Sequence, residues 1–235
     1  MAEALHFAAV AHLGHTLVLA PHPDDETLAC GGLICLLARA DVPVCVVLLT
    51  DGAASHPASL AFAAPRLAAL RHREMVAALM ELGLAEPALV SLGWPDGGLP
   101  QVKDAGFELA LQQLWQVASV FKPATVILPS AHDLHADHRA AQALGAALCA
   151  ALPTPPRQLA YTVWGDVPAS GAWRVDISAV LDAKLRALAC HRSQLGALVH
   201  DDPNGFTLPP HVVASCKLPV ETYADLSHRC RDAEP

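Results

Sequence analysis

Short apolar runs alternate with longer helical stretches along most of this chain, and few folds accommodate that order. Branched and aliphatic residues fill 16–19, 44–49, 88–92, 125–128 and 159–164, each bounded by polar or turn residues, and each run reads as a strand. Residues 27–39, 65–82, 104–121, 139–151 and 178–191 read as helices. Strand and helix in turn build parallel βαβ units, so the expected class is α/β: a Rossmann-like, three-layer α/β/α fold with a mostly parallel sheet. A length of 235 residues fits one domain spanning 1–235, because chains of about 200 to 250 residues often form a single unit of this type. Pro153, Pro155 and Pro156 mark a rigid surface connection rather than a boundary. From about residue 196 the chain becomes rich in loop residues, with a last strand expected at 212–218.

The chemistry is concentrated just past two of these strands. His22-Pro23-Asp24-Asp25-Glu26 follows the first, and His132-Asp133-Leu134-His135-Ala136-Asp137-His138 follows the run at 125–128. Open α/β sheets bind ligands at the carboxyl ends of their strands, so two such clusters point to a divalent metal. Catalytic zinc takes three protein ligands and keeps a fourth position open, and imidazole and carboxylate suit it; His22, Asp25 and one downstream histidine suffice. A plainer reading places Asp24, Asp25 and Glu26 in a first helical turn, where carboxylates suit the macrodipole, and makes Asp137 a helix cap. That reading explains the acidity, but neither the preceding His22 nor the recurrence at two strand ends.

The pair His22-Pro23-Asp24-Asp25-Glu26 and His135-Ala136-Asp137-His138 resembles the two signature motifs of the LmbE-like, or PIG-L, zinc-dependent N-deacetylases. The resemblance extends over most of the chain, through Thr50-Asp51-Gly52, Arg71-His72-Arg73-Glu74, Trp94-Pro95-Asp96-Gly97, Lys184 and His191-Arg192-Ser193-Gln194. It implies the LmbE-like deacetylase fold and removal of an N-acetyl group from an N-acetylglucosamine-type sugar or glycoconjugate. By position, His22, Asp25 and His138 match the family's zinc ligands, Asp24 its general base, and His135 the histidine that stabilises the transition state in protonated form. Asp137 is placed beside them as the carboxylate that orients a histidine. Arg71 and Asp96 match positions that bind sugar, though on residue type alone they also read as a helix-surface cation and a turn aspartate. The chain departs from several relatives at Asp133-Leu134, where they carry Tyr or Arg, and at Ala53-Ala54, where some carry glutamate. A thiol-precursor substrate therefore does not follow from the resemblance.

Composition narrows the partners. The formal charge of −8 argues against nucleic acid and anionic membrane surfaces while leaving a small N-acetylated sugar open. The most apolar region, 33–49, is broken by Arg39, Asp41 and Pro43, short of the roughly 20-residue span a membrane helix needs. Seven cysteines without a CxxC pair read as core residues of a reducing compartment, and with no basic leader the expected location is cytoplasmic. Iron(II) suits the same ligands as zinc. A homo-oligomer is compatible with the apolar, loop-rich tail. Two other functions share these residues: a metal-dependent phosphoesterase, which would need two metals, and a non-catalytic sugar- or nucleotide-binding module using Gly31-Gly32.

Overall fold

The computed structural model describes residues 4–5, 10–85, 88–165 and 172–226. Its eight strands are β1 (Ala4–Leu5), β2 (Thr16–Ala20), β3 (Val44–Thr50), β4 (Leu89–Trp94), β5 (Thr125–Pro129), β6 (Arg157–Tyr161), β7 (Ala172–Asp176) and β8 (Val220–Asp225). They form one sheet in the order β1-β7-β8-β6-β5-β2-β3-β4. The pairs β2–β3, β2–β5, β3–β4, β5–β6 and β1–β7 are parallel, whereas β8 runs antiparallel to both β6 and β7. The helices are α1 (Asp25–Arg39), α2 (Ala64–Glu81), α3 (Phe107–Phe121), α4 (Ala136–Ala151), α5 (Leu181–Cys190) and α6 (Pro210–Ser215).

Every residue of β2, β3 and β5 is buried, as expected of central parallel strands covered on both faces. Alternate side chains feed two cores. Val18 and Ala20 of β2 join α1, α2 and α5, including Leu33, Ile34, Met75 and Ala187. Leu17 and Leu19 point the other way, into a core with Leu114 of α3 and Leu144 and Leu148 of α4. The result is the three-layer α/β/α arrangement the alternation predicts.

Strand order also positions the site. Connections from β2 lead outward to β3 and β4, and those from β5 outward to β6, so the order reverses between β2 and β5. Neighbouring strands at such a reversal leave a crevice at their carboxyl ends. Thr16 pairs with Thr125 and Val18 with Ile127, which brings the segments after Ala20 and after Pro129 side by side.

Two local expectations are corrected. Residues 212–218 are not a strand: Pro210 opens the short helix α6, and the strand begins at Val220. Pro at a helix start has its fixed φ where a helix needs it and lacks only an N–H that would be unpaired anyway. Residues 162–164 lie beyond the end of β6, and their backbone turns to meet Asp133. Lys184, one of the positions that carry the resemblance, is buried, its Nζ donating to Glu221 Oε1 at 2.7 Å. Glu221 also accepts from the Gly32 and Leu33 N–H groups (2.7 and 2.8 Å) and from the Tyr223 hydroxyl (2.8 Å). Those contacts tie β8 to the middle of α1. Of the described cysteines, five are buried and Cys190 is half-buried, and none of these six is in a disulfide.

Candidate active site

The two motif segments meet at the reversal point. Helix α1 begins at Asp25, and its carboxylate turns back to accept from the His22 N–H at 2.8 Å. Asp25 Oδ2 then lies 3.2 Å from His22 Nδ1 and 3.2 Å from His138 Nε2, the latter carried by the first turn of α4. A carboxylate oxygen and two imidazole nitrogens thus converge in a site where His22, Asp25 and His138 are all buried. Glu26 belongs to the same first turn and is buried too, so this acidic run is no solvated helix cap.

The far side of each imidazole meets another carboxylate. His22 Nε2 is 3.1 Å from Asp137 Oδ2 and 3.2 Å from Asp96 Oδ1. Asp137 is itself held by the Gly97 N–H (2.8 Å) and the Leu99 N–H (3.2 Å). His138 Nδ1 faces Asp133 Oδ2 at 3.1 Å. Asp133 is a buried hub, accepting from the backbone N–H groups of His135 (3.0 Å), Val163 (3.1 Å) and Trp164 (3.2 Å). It is the site residue that sequence reasoning passed over, registering there only as a departure before the second motif. Its position next to a histidine-rich run was the available signal.

Carboxylates outnumber permanent cations here. Asp24, Asp25, Asp96, Asp133 and Asp137 surround the imidazoles, and among the described residues the guanidinium within 4.0 Å of this group is that of Arg71, with Nη2 3.4 Å from Asp24 Oδ2 and Nη1 3.9 Å from Asp96 Oδ2. The pKa shifts report that imbalance. Burial opposes charging His138, yet the Asp25 and Asp133 carboxylates outweigh it and push its pKa up to about 9. His22 is likewise raised: burial works against it, and Asp137, Asp25 and Asp96 overcome it. Burial raises Asp24, with Arg71 pulling the other way and Asp25 adding to the rise. A site that draws protons onto two buried histidines presents the same lone pairs and net negative charge to a metal cation. His138 Nε2, moreover, is buried without an aligned hydrogen bond. The donor set fits a metal.

His135 differs from its neighbours. Burial, His22 and His138 lower its pKa, and its Nδ1 accepts from the Asp137 N–H at 3.2 Å. A nitrogen accepting from a backbone N–H carries no proton, so the hydrogen-bond pattern assigns the neutral tautomer with the proton on Nε2. His135, expected to act in protonated form, is thus an acceptor at Nδ1 in the resting site.

Arg71 is not a surface cation of α2. It is 3% exposed, donates to the Gly52 carbonyl at 2.7 Å and closes over the strand ends. Gly52 has φ +65°, and a Cβ there would lie 2.7 Å from both Arg71 Nη1 and Pro23 Cδ, so glycine is required. Asp96 accepts from the Ala54 N–H at 3.0 Å and borders the same cleft. The cleft encloses about 420 Å³ and is lined by His22, Asp24, Asp25, Arg71, Asp96 and His135, closed by Ala54, Ser55, Gly97, Trp164, Gln194 and Phe206. All six lining residues named first were singled out in the sequence; Asp137 and His138 stand immediately behind His22 and Asp25.

A mostly parallel α/β sheet with a histidine–carboxylate cluster at its reversal point defines the class: an α/β protein with a metal-binding type of cleft. The chain belongs to the PIG-L family, described as GlcNAc-PI de-N-acetylase, which its residues 17–149 match. It is 29% identical over 198 residues to a probable N-acetyl-alpha-D-glucosaminyl L-malate deacetylase 2 of Bacillus subtilis, covering 80% of this chain and 86% of the relative. It is 30% identical over 214 residues to 2'-N-acetylparomamine deacetylase of Streptomyces fradiae, covering 77% and 74%. The fold is shared with N,N'-diacetylchitobiose deacetylase from Pyrococcus horikoshii at a TM-score of 0.72 and 21% identity, over 94% of this chain and 86% of that one. No described helix is long and apolar enough to cross a membrane.

Proposed function

We propose that this protein is a zinc-dependent amidohydrolase that removes the acetyl group from an N-acetylated amino sugar or glycoside, folded as one domain over residues 1–235. The observation that carries the reading is the placement of Asp25 Oδ2 3.2 Å from each of His22 Nδ1 and His138 Nε2, with Asp24 and His135 on the wall of the same cleft.

In this scheme His22, Asp25 and His138 hold the metal, which when bound supplies Lewis-acid polarisation of the amide carbonyl and lowers the pKa of water. Asp24 accepts the proton of the attacking water; its raised pKa brings it towards the working pH of a general base. His135 donates from Nε2 to the oxygen on which charge builds, and as a neutral donor it needs no imidazolium to do so. Asp24 then holds the only proton gained during attack and returns it to the departing amine. Asp137 and Asp133 orient His22 and His138 and fix their tautomers. Arg71 positions Asp24 and, with Asp96, binds sugar hydroxyls.

A second triad of His22, Asp96 and Asp137 has ligand atoms within 4.8 Å of one another, the arrangement a two-metal phosphoesterase would want. Its carboxylates are engaged by the Gly97, Leu99 and Ala54 N–H groups, which favours an orienting role and a single metal. Acetate release from a panel of N-acetylglucosamine derivatives, measured on metal-free protein with and without one equivalent of zinc, tests the reading. Zinc-dependent release supports it. Release without metal, or two bound metals with phosphoester turnover and no acetate, overturns it.

A further inference from the structure

The relatives are named for different groups beside the sugar, and the cleft of this chain carries its own information on that point. One part of its wall is aromatic. Trp164 and Phe206 meet edge to face, ring centroids 5.9 Å apart at 78°, and both border the cleft that contains Asp24 and Asp25. Trp164 packs from behind on the buried cluster of Leu28, Leu188, Leu208 and Val212. Phe206 lies in the loop-rich tail, 37% exposed.

That tail is built onto the cleft rather than draped over it. The Phe206 N–H donates to the Ser55 carbonyl at 2.7 Å, and the Leu208 N–H to the Gln194 carbonyl at 2.7 Å. Asp201 accepts from the Leu60 and Ala61 N–H groups at 2.8 Å and from the Ser59 hydroxyl at 2.7 Å, and Asp202 from the Ala58 N–H at 2.9 Å. Gly205 permits the closest approach: a Cβ there would lie 2.2 Å from His56 Cδ2. The two loops are therefore locked together with the Phe206 ring turned into the cleft. Gln194 also lines the cleft, and its Oε1 is buried with no hydrogen-bond partner among the described residues. A buried acceptor in a ligand cleft is the position for a donor on the ligand.

Charge completes the picture. The cleft is lined by three aspartates and one arginine, and Arg71 is already engaged by Asp24 and Asp96. Among the described lining residues no other permanent cation remains for a carboxylate or phosphate. A metal's charge would act at the reacting amide, away from any need to pair an anionic aglycone.

We propose, resting on the deacetylase reading, that Trp164 and Phe206 form an aglycone subsite for an uncharged group with an apolar face, and that aglycones bearing carboxylates or phosphates are poor ligands. Both an aryl aglycone and the C–H face of a second sugar ring offer that chemistry, with Gln194 accepting from a hydroxyl or amide N–H alongside. Offset or edge contacts to aromatic rings favour apolar and weakly polarised C–H surfaces, while the aspartates repel anions.

The test measures binding by calorimetry and acetate release on the zinc-loaded full chain, with four ligands: N-acetylglucosamine, its phenyl glycoside, N,N'-diacetylchitobiose and its L-malyl glycoside. The phenyl glycoside or the disaccharide is expected to bind about tenfold more tightly than N-acetylglucosamine, and the malyl glycoside no more tightly than it. Whichever of the first two binds better identifies the aryl or the sugar source. Phe206→Leu, which keeps bulk and loses the ring, and Trp164→Ala are each expected to collapse that ratio towards one. Preference for the malyl glycoside, an unchanged ratio in both variants, or no binding of any ligand overturns the subsite. If the affinity pattern holds and no ligand releases acetate, the deacetylase reading falls and the aromatic subsite stands.

Discussion

Asp133→Asn removes one charge from a buried hub while keeping its shape, and the consequences can be worked out contact by contact. In the parent, Oδ1 accepts from the His135 N–H at 3.0 Å, and Oδ2 accepts from Val163 and Trp164 at 3.1 and 3.2 Å while facing His138 Nδ1 at 3.1 Å. Asparagine has one acceptor oxygen. Its least costly orientation leaves that oxygen with Val163, Trp164 and His138 and turns the amide nitrogen towards the His135 N–H, donor against donor. The loss is one hydrogen bond to a charged acceptor plus a buried unpaired donor, about 2 to 4 kcal/mol. At about 2 to 4 °C per kcal/mol for a domain of this size, the metal-free protein should melt on the order of 10 °C lower. His138 also exchanges a carboxylate for a neutral amide partner, and loss of such a support typically lowers metal affinity about 10- to 100-fold. Thermal melts of the metal-free variant and zinc titration against a competing chelator read the two effects separately. A variant that melts with the parent and binds zinc equally well refutes the hub assignment; a lower melt with unchanged zinc affinity makes Asp133 a loop staple and nothing more.

Three further outcomes are expected. Asp24→Asn should keep its zinc and lose turnover by about 10²- to 10⁴-fold, the usual worth of a general base, whereas Asp25→Ala should lose zinc affinity; normal turnover in the first variant would remove Asp24 from the mechanism. Lys184→Met should destabilise the fold by about 3 kcal/mol, the low end for breaking a buried pair, because Glu221 keeps its bonds from Gly32, Leu33 and Tyr223. Burial opposes the Lys184 charge but Glu221 outweighs it, so its pKa is raised on folding; the pair's contribution is therefore complete below the unfolded lysine value of about 10.4 and is lost as pH climbs through the higher folded value. From neutral pH upward, the gap in chemical denaturation between parent and variant should thus persist until strong alkali, and a gap that closes below the unfolded lysine value would contradict this assignment. Gly205→Ala should cost about 1 to 3 kcal/mol by forcing a methyl into the His56 ring, and should speed proteolysis of the tail; a variant as stable and as protease-resistant as the parent would show that the loops are not locked there.

Much of the cleft was legible because its histidines and carboxylates come in two local runs. His22, Asp24 and Asp25 are neighbours, as are His135, Asp137 and His138, and an apolar run before each run announces a strand end. Arg71 and Asp96 were harder: a charged residue on a helix and an aspartate before two glycines are ordinary surface features until tertiary packing buries the one and turns the other into the cleft. Asp133 left only its place beside a histidine-rich run, since its partners Val163 and Trp164 lie about thirty residues further on, in the loop after another strand. The last strand was misplaced for a related reason. Its buried positions are Glu221 and Tyr223, so the alternation that marks a strand is carried by a glutamate whose partner is Lys184 and by a tyrosine that reaches Ala29.

Hydrophobic periodicity and turn chemistry are short-range properties, and by themselves they determined the order of strands and helices, the three-layer class and the two runs of ligand-type residues. Which strands adjoin, that β2 lies against β5 and brings together runs 110 residues apart, that β8 enters antiparallel between β6 and β7, and that the tail delivers Phe206 to the cleft were decided only in three dimensions. Such contacts join segments distant in sequence, and the energies that select them come from burial and from satisfying buried polar groups, terms that exist only once the chain has packed.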